Sequence, residues 1–354
     1  MNRLLLLCCF FITLTTATYA QTATPSCAQT LRLAQSVYEQ GRLHEIPGIL
    51  QKCIDENGFT KQEKVNAYKI LTNTYIYLEE PEQADESMLK ILQTDPYFQI
   101  NEAIDPAEFV ALYKTFRTTP IYRLGVKLGV NASQPNITEL SSAVELTKDS
   151  NYKYNVGILF GGIFEVPLNP KMTIHSELLY LQRKFEVNLM VDRGTNLAGN
   201  PLSNEFNGIE TQNWISAPIT FEYKIMEKKY NPYVAGGVSV DYLLGDKLKG
   251  LRSRTDAAAI TETTFELKPQ REKINISAIA AAGVKMKVGG GFFVAELRYL
   301  YGITPINSRE TAFANELATW DQGYADPVFK LSSLSVTGSY IINIFSPKKK
   351  TSKK

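Results

Sequence analysis

Charged side chains recur at inward positions of strand-like segments in the C-terminal two-thirds of this chain: Arg123, Lys127, Glu165, Glu177, Glu222, Asp241, Lys285, Lys287, Glu296 and Arg298. Carboxylates and cations gathered in that way can act as an acid/base pair or a proton path, or they can neutralise one another inside a closed structure. No nucleophile or cofactor motif accompanies them, so mutual neutralisation is the reading the sequence supports. There is no Walker sequence, nucleophile elbow or HExxH, and Gly289-Gly290-Gly291 reads as a turn that no helix follows. The two histidines, His44 and His175, stand far apart without carboxylate or cysteine at ligand spacing. Ser176 adjoins His175 but points to the opposite strand face, which argues against a phospholipase-like pair. No enzyme, cofactor or metal is expected.

The elements that must position these charges are strands. In Tyr122 to Asn131, the residues Tyr122, Leu124, Val126, Leu128 and Val130 share one face, and Arg123, Gly125, Lys127, Gly129 and Asn131 share the other. The same alternation returns over 152–166, 172–184, 213–223, 233–244, 274–288, 292–303 and 333–344, making eight segments. Outward sets such as Tyr152, Tyr154, Val156, Ile158, Phe160 and Phe164 are apolar, while their opposite numbers are polar, charged or small. Short connections (167–170, 224–231, 289–291) alternate with long polar ones (132–151, 187–212, 245–272, 304–328). That asymmetry is the mark of an outer-membrane barrel, whose eight strands leave an interior wide enough only for side chains.

Net charge is +2, which leaves no basic stripe for nucleic acid. Residues 1–20 combine Met1-Asn2-Arg3, an apolar run and Thr18-Tyr19-Ala20, the pattern of a secretory signal peptide; Cys8 and Cys9 fall within it. Export leaves Cys27 and Cys53 in an oxidising compartment, where they are either a disulfide or two buried thiols. Residues 21–117 carry helical periodicity: Leu31, Ala34, Val37; Ile46, Leu50, Ile54; Tyr68, Leu71, Tyr75; Ala84, Met88, Ile91. A last helix from Pro106 places Phe109, Leu112, Tyr113 and Phe116 on one stripe.

The unit Tyr68-x2-Leu71-x3-Tyr75 with Ala84-x3-Met88-x2-Ile91 and Asp95-Pro96 resembles the tetratricopeptide repeat, and Ala34, Val37, Gly41, Ile46, Leu50 and Cys53 form a looser copy. The C-terminal two-thirds resembles the PorT-like outer-membrane β-barrel family through Trp214-Ile215-Ser216-Ala217-Pro218-Ile219, Asn231-Pro232-Tyr233-Val234-Ala235-Gly236-Gly237 and Glu296-Leu297-Arg298-Tyr299-x-Tyr301-Gly302-Ile303. Some members of that family are assembly factors of the type IX secretion system.

The expected architecture is therefore α+β in two domains: antiparallel, tetratricopeptide-like helix hairpins in the periplasm (21–117), then an eight-stranded antiparallel transmembrane β-barrel (118–345), then a basic periplasmic tail (346–354). The lumen should hold Arg123, Lys127, Glu165, Glu177, Glu222, Asp241, Lys285, Glu296 and Arg298. Lys247, Lys249, Arg252 and Arg254 fall in one loop that either meets lipopolysaccharide phosphates or is simply solvated, and the lysines of the tail either touch an acidic periplasmic partner or, the favoured reading, are disordered. The expected partners are outer-membrane lipid and a periplasmic or outer-membrane protein docked on the helices. The alternative is a barrel that captures a ligand or passes a small solute with its long loops.

Overall fold

The computed structural model describes residues 26–139, 150–226, 229–257 and 261–350. The expected leader with Cys8 and Cys9, and Lys353 and Lys354 of the tail, lie outside the described residues. The chain divides into two compact units, Met1–Thr118 with Ser346–Lys354 and Thr119–Phe345.

In the first unit the helices are α1 (Cys27–Glu39), α2 (Ile46–Asp55), α3 (Lys61–Tyr77), α4 (Pro81–Thr94) and α5 (Ala107–Thr115). Capping boxes start α1 and α3: the Ser26 and Thr60 side chains accept from the amides of Gln29 and Glu63, whose side chains accept in return from the cap amides. Pro81 opens α4, where the missing N–H costs nothing. The predicted apolar stripes meet in one core of Ala34, Val37, Ile46, Leu50, Leu71, Met88, Ile91 and Phe109.

Cys27 and Cys53 are joined by a disulfide, with Cα atoms 5.6 Å apart. The bond closes a sequence separation of 26 residues. Cys53→Ser should therefore lower the stability of the helical unit by about 3 kcal/mol, read as urea unfolding followed by helical circular dichroism. A thiol reductant should reproduce that loss in the parent and have no effect on the variant.

The C-terminal tail is not disordered over its described part. Ser346 to Lys350 runs beside the end of α5: the Arg117 amide donates to Lys348 O (2.9 Å), the Lys350 amide to Thr115 O (2.7 Å), and the Arg117 guanidinium to Ser346 O (2.6 Å). Lys349 pairs with Asp85 of α4. A lysine run reads as solvated from composition, yet its backbone finds partners and its charge an acid on the helices; the tail belongs to the helical unit.

Asp105, buried ahead of α5, pairs with Lys69 and accepts from the Asn101 amide at 2.7 Å. Burial alone would raise its carboxyl, but the Lys69 ammonium and that amide outweigh it and hold the group below its ordinary 3.8. Because the folded value is the lower one, the contribution is complete above 3.8 and is lost as pH falls through the folded value. Asp105→Asn should cost about 2 kcal/mol at neutral pH, and the two proteins should converge in acid unfolding titrations.

In the second unit the strands are β1 (Tyr122–Glu139), β2 (Asn151–Pro167), β3 (Met172–Thr195), β4 (Pro201–Lys224), β5 (Tyr230–Arg254), β6 (Thr263–Glu266), β7 (Ile274–Val288), β8 (Gly291–Gly302) and β9 (Val328–Ile344). All pairings are antiparallel, and β1 pairs with both β2 and β9 while β4 pairs with β5 and β5 with β7, which closes a ring of eight. Short β6 is a ninth strand appended to β5 outside that ring.

Side-chain burial inverts along this ring. Toward the short turns, Val126, Leu128, Phe160, Val238, Leu297 and Val336 are exposed on the outer face, while Lys127, Glu177 and Arg298 are buried inside. Toward the long connections Phe185, Val187, Leu189, Phe206 and Leu248 fill the inside, and Lys247 and Lys249 are outside. An outer face that changes from apolar to polar along one strand is what a boundary between two surroundings demands.

Three sequence expectations need correction. The connection read as a long loop over 187–212 is mostly strand: β3 and β4 stay paired from Asn188↔Asn207 to Thr195↔Pro201. The apolar-out rule loses its signal there because the greasy residues have moved inside. Tyr152 does not stand on the outer face but packs against the inner cluster, beyond a register shift between Asn155 and Leu159. Lys287, close to the Gly289 turn, is exposed rather than inside.

Candidate functional site

The lumen charges assemble in layers. Nearest the short turns, Lys285 Nζ lies 2.9 Å from Glu165 and 2.7 Å from Glu222. His175 bridges the same two carboxylates, Nδ1 at 3.3 Å from Glu165 and Nε2 at 2.8 Å from Glu222. Arg123 closes the layer by donating to Glu165 (3.2 Å) and Asn343 (2.9 Å). By composition, Glu165, His175 and Glu222 could hold a metal ion, since their ligand atoms lie within 4.8 Å of one another. The Lys285 ammonium already sits between the carboxylates, however, so the cation this cluster requires is part of the chain.

In the next layer Arg298 makes a two-pronged pair with Glu177 (2.7 and 2.9 Å) and donates to Glu296 (2.9 Å). Lys127 reaches the same acids at 2.8 and 3.1 Å, and the Tyr233 hydroxyl donates to Glu296 at 2.8 Å. Gly283 gives the Tyr233 ring its place: a Cβ there would come within 2.6 Å of the phenol. In these two layers Arg123, Lys127, Lys285 and Arg298 face Glu165, Glu177, Glu222 and Glu296, four against four. Such matching is what burial of ions requires, since each would otherwise carry a desolvation penalty of several kcal/mol.

Asp241 does not join these layers. It pairs with Arg183 at 2.6 Å farther along the lumen and accepts from the hydroxyls of Ser216 (2.6 Å) and Ser239 (2.5 Å). Beyond it, fully buried Arg271 donates to Asp246 (2.6 Å) and Glu210 (2.8 Å) and pairs with Asp326, which also accepts from Tyr324 and Asn307 at 3.0 Å. Between the layers of Arg298 and Arg183 a void of only about 20 Å³ remains. That is room for about one water.

Of the lumen residues expected from the sequence, Lys127, Glu165, Glu177, Glu222, Asp241, Lys285, Glu296 and Arg298 are buried and Arg123 is half-buried, while their partners were only partly foreseen. His175 was visible without its acids because they lie on β2 and β4. Arg183 lies in the expected 172–184 strand, in phase with His175 and Glu177, but was not picked out; Glu210 and Asp246 lie in strand extensions read as loops, and Arg271 and Asp326 lie outside strands, where no periodicity marks them. The cations of the 245–272 connection are not a free basic patch: Lys247 pairs with Glu266 (2.8 Å), Lys249 with Glu262 (2.7 Å), Arg254 with Asp256 (3.0 Å), and Arg252 donates to Asp321 O (2.9 Å).

Residues 121–308 match the family model described as outer membrane protein beta-barrel domain. The chain belongs to that family. Outer-membrane barrels are also what its solved likenesses are: Neisserial surface protein A (10% identity over 62% of this chain and 97% of that one, TM-score 0.29), OprG from Pseudomonas aeruginosa (11%, 64% and 98%, 0.32) and Ail of Yersinia pestis (12%, 62% and 98%, 0.25). At those scores they carry no argument about this outer-membrane barrel. No curated protein matches it.

Proposed function

We propose that this outer-membrane barrel spans the bilayer as a closed, non-enzymatic anchor and that its helical unit is a periplasmic docking module in an envelope assembly or export machine, the narrower role that the PorT-like and tetratricopeptide-like patterns suggest. The exposed outer residues Val126, Leu128, Phe160, Val238, Leu297 and Val336 supply the belt that hydrocarbon would cover. Short turns of such barrels face the periplasm, and Tyr122 and Ile344, which begin and end the strands, lie at that end. Segments attached there are then periplasmic.

The observation that carries docking is a groove of about 470 Å³ in the helical unit, lined by Arg32, Gln35, Tyr38, Asn66, Lys69 and Asn73 among others. Asn73 is 8% exposed, and among the described residues its Oδ1 has no hydrogen-bond partner. A buried amide oxygen left without a donor is costly, and the N–H of an extended peptide laid in the groove would satisfy it.

The test is a photocrosslinker placed at Asn66, in the groove, or at Lys52, which is exposed on α2 outside it. A discrete adduct in native envelopes from Asn66, missing from Lys52 and lost on adding Asn73→Leu, supports docking; equal adducts from both positions count against it. The transport alternative is separated by planar-bilayer recordings, in which the filled lumen is expected to pass no current above baseline.

A further inference from the structure

At the long-connection end of the barrel, three strands present a concave inner face to the segment before β9. Cross-strand register sets Leu189, Phe206 and Arg252 in one row and Val191, Asn204 and Arg254 in the next. Trp320, Gln322, Gly323 and Ala325 lie opposite, and a cavity of about 440 Å³ remains between the two walls. That is within the ~300–1,000 Å³ of small-molecule sites. Gly250 lets the Phe206 ring lie flat against the strand, since a Cβ there would come within 2.4 Å of it, and Tyr324 packs on the other side at 5.4 Å between centroids. The apolar floor is thus fixed by packing.

Three residues that line this cavity each carry a buried polar atom with no hydrogen-bond partner among the described residues: Asn204 Oδ1, Arg252 Nε and Gln322 Oε1. Gln322 is only 3% exposed. Buried groups are rarely left in this condition, and three at one cavity call for a ligand that carries both donors and acceptors. Two acceptors and one donor match hydroxyl groups, which can play either part. Trp320, 73% exposed, offers a bare indole on which the C–H face of a ring can pack. Ionic lining residues are balanced, Asp192 and Glu205 against Arg193 and Arg252. Nothing in that balance attracts an ion.

We propose that this cavity binds a small neutral saccharide of one or two rings, with one apolar ring face on Trp320 and its hydroxyls donating to Asn204 and Gln322 and accepting from Arg252. The site is separate from the helical groove and from the lumen charges, and it stands whether or not the helical unit docks a partner.

Trp320 and Trp214 are the two tryptophans of the chain, and Trp214 is fully buried in the lumen, so mouth-directed changes in fluorescence report Trp320. The full chain, folded in lipid nanodiscs free of sugar detergents, is titrated with glucose, N-acetylglucosamine, maltose and, as an anionic comparison, glucuronate. The expected result is a saturable emission change with at least one neutral sugar at millimolar concentration or below. It should be absent in Trp320→Phe and weakened at least about tenfold in Gln322→Met, the loss of one buried hydrogen bond. Asn204→Leu, judged folded by unchanged Trp214 emission, serves as a second variant if Gln322→Met does not assemble. No saturable change with any neutral sugar up to about 50 mM, equal affinity in both polar-atom variants, or tighter binding of glucuronate than of every neutral sugar would each overturn the proposal.

Discussion

Arg271→Met is expected to lower barrel stability by about 3–5 kcal/mol, the cost of removing one partner from a buried ionic cluster. The guanidinium is fully buried and pairs with Glu210, Asp246 and Asp326, and among the described residues no other lysine or arginine pairs with those three. Methionine preserves length and apolar bulk, so the loss reports the stranded carboxylates rather than a cavity. Gln212 donates to Glu210 (2.7 Å) and Asp246 (3.2 Å) but brings no charge. Adding Glu210→Gln, Asp246→Asn and Asp326→Asn to Arg271→Met should restore most of the stability, because amides no longer require the cation. Urea unfolding in lipid vesicles, followed by Trp214 emission, reads both effects.

The second large effect is a coupling. Arg298→Met alone should cost about 3 kcal/mol, at the lower end for a broken buried pair, because Lys127 still reaches Glu177 and Glu296 at 2.8 and 3.1 Å. Lys127→Met alone should cost less still, since Arg298 keeps its two-pronged hold on Glu177. Together the two substitutions leave both glutamates without a cation. The double variant should lose at least about 1 kcal/mol more than the sum of the singles. Strict additivity would mean that the layer is not one network.

The strand alternation that disclosed this lumen was legible because two surroundings press on one strand: an apolar face outside leaves the charges nowhere but inside. Val126 beside Lys127 and Leu297 beside Arg298 therefore betrayed their placement from sequence alone. Where the strands pass the apolar belt, Phe185 and Leu248 turn inward and Lys247 outward, and a rule that looks for grease outside reads them as loop. Partnership was harder than placement. Glu165, His175 and Glu222 come from three neighbouring strands whose register no local pattern gives, and Arg271 and Asp326 are brought together by irregular segments. The helical unit was legible where helical periodicity was strong, as at Tyr68, Leu71 and Tyr75, while the capping boxes at Ser26 and Thr60 were not read. Its pairing with Ser346 to Lys350 spans more than two hundred positions of sequence and rests in part on backbone atoms, which every residue possesses.

Labelling from within the bilayer tests the central claim most directly: a photoactivated carbene attached to lipid acyl chains, applied to the folded chain in vesicles, with modified residues located by mass spectrometry. Adducts are expected on Val126, Leu128, Phe160, Val238, Leu297 and Val336, with none on Lys127, Glu177, Phe185 or Leu248. Adducts shared between the two faces of a strand, or an outer row that stays unlabelled, would contradict a barrel whose greasy belt meets lipid and whose charges are sealed inside.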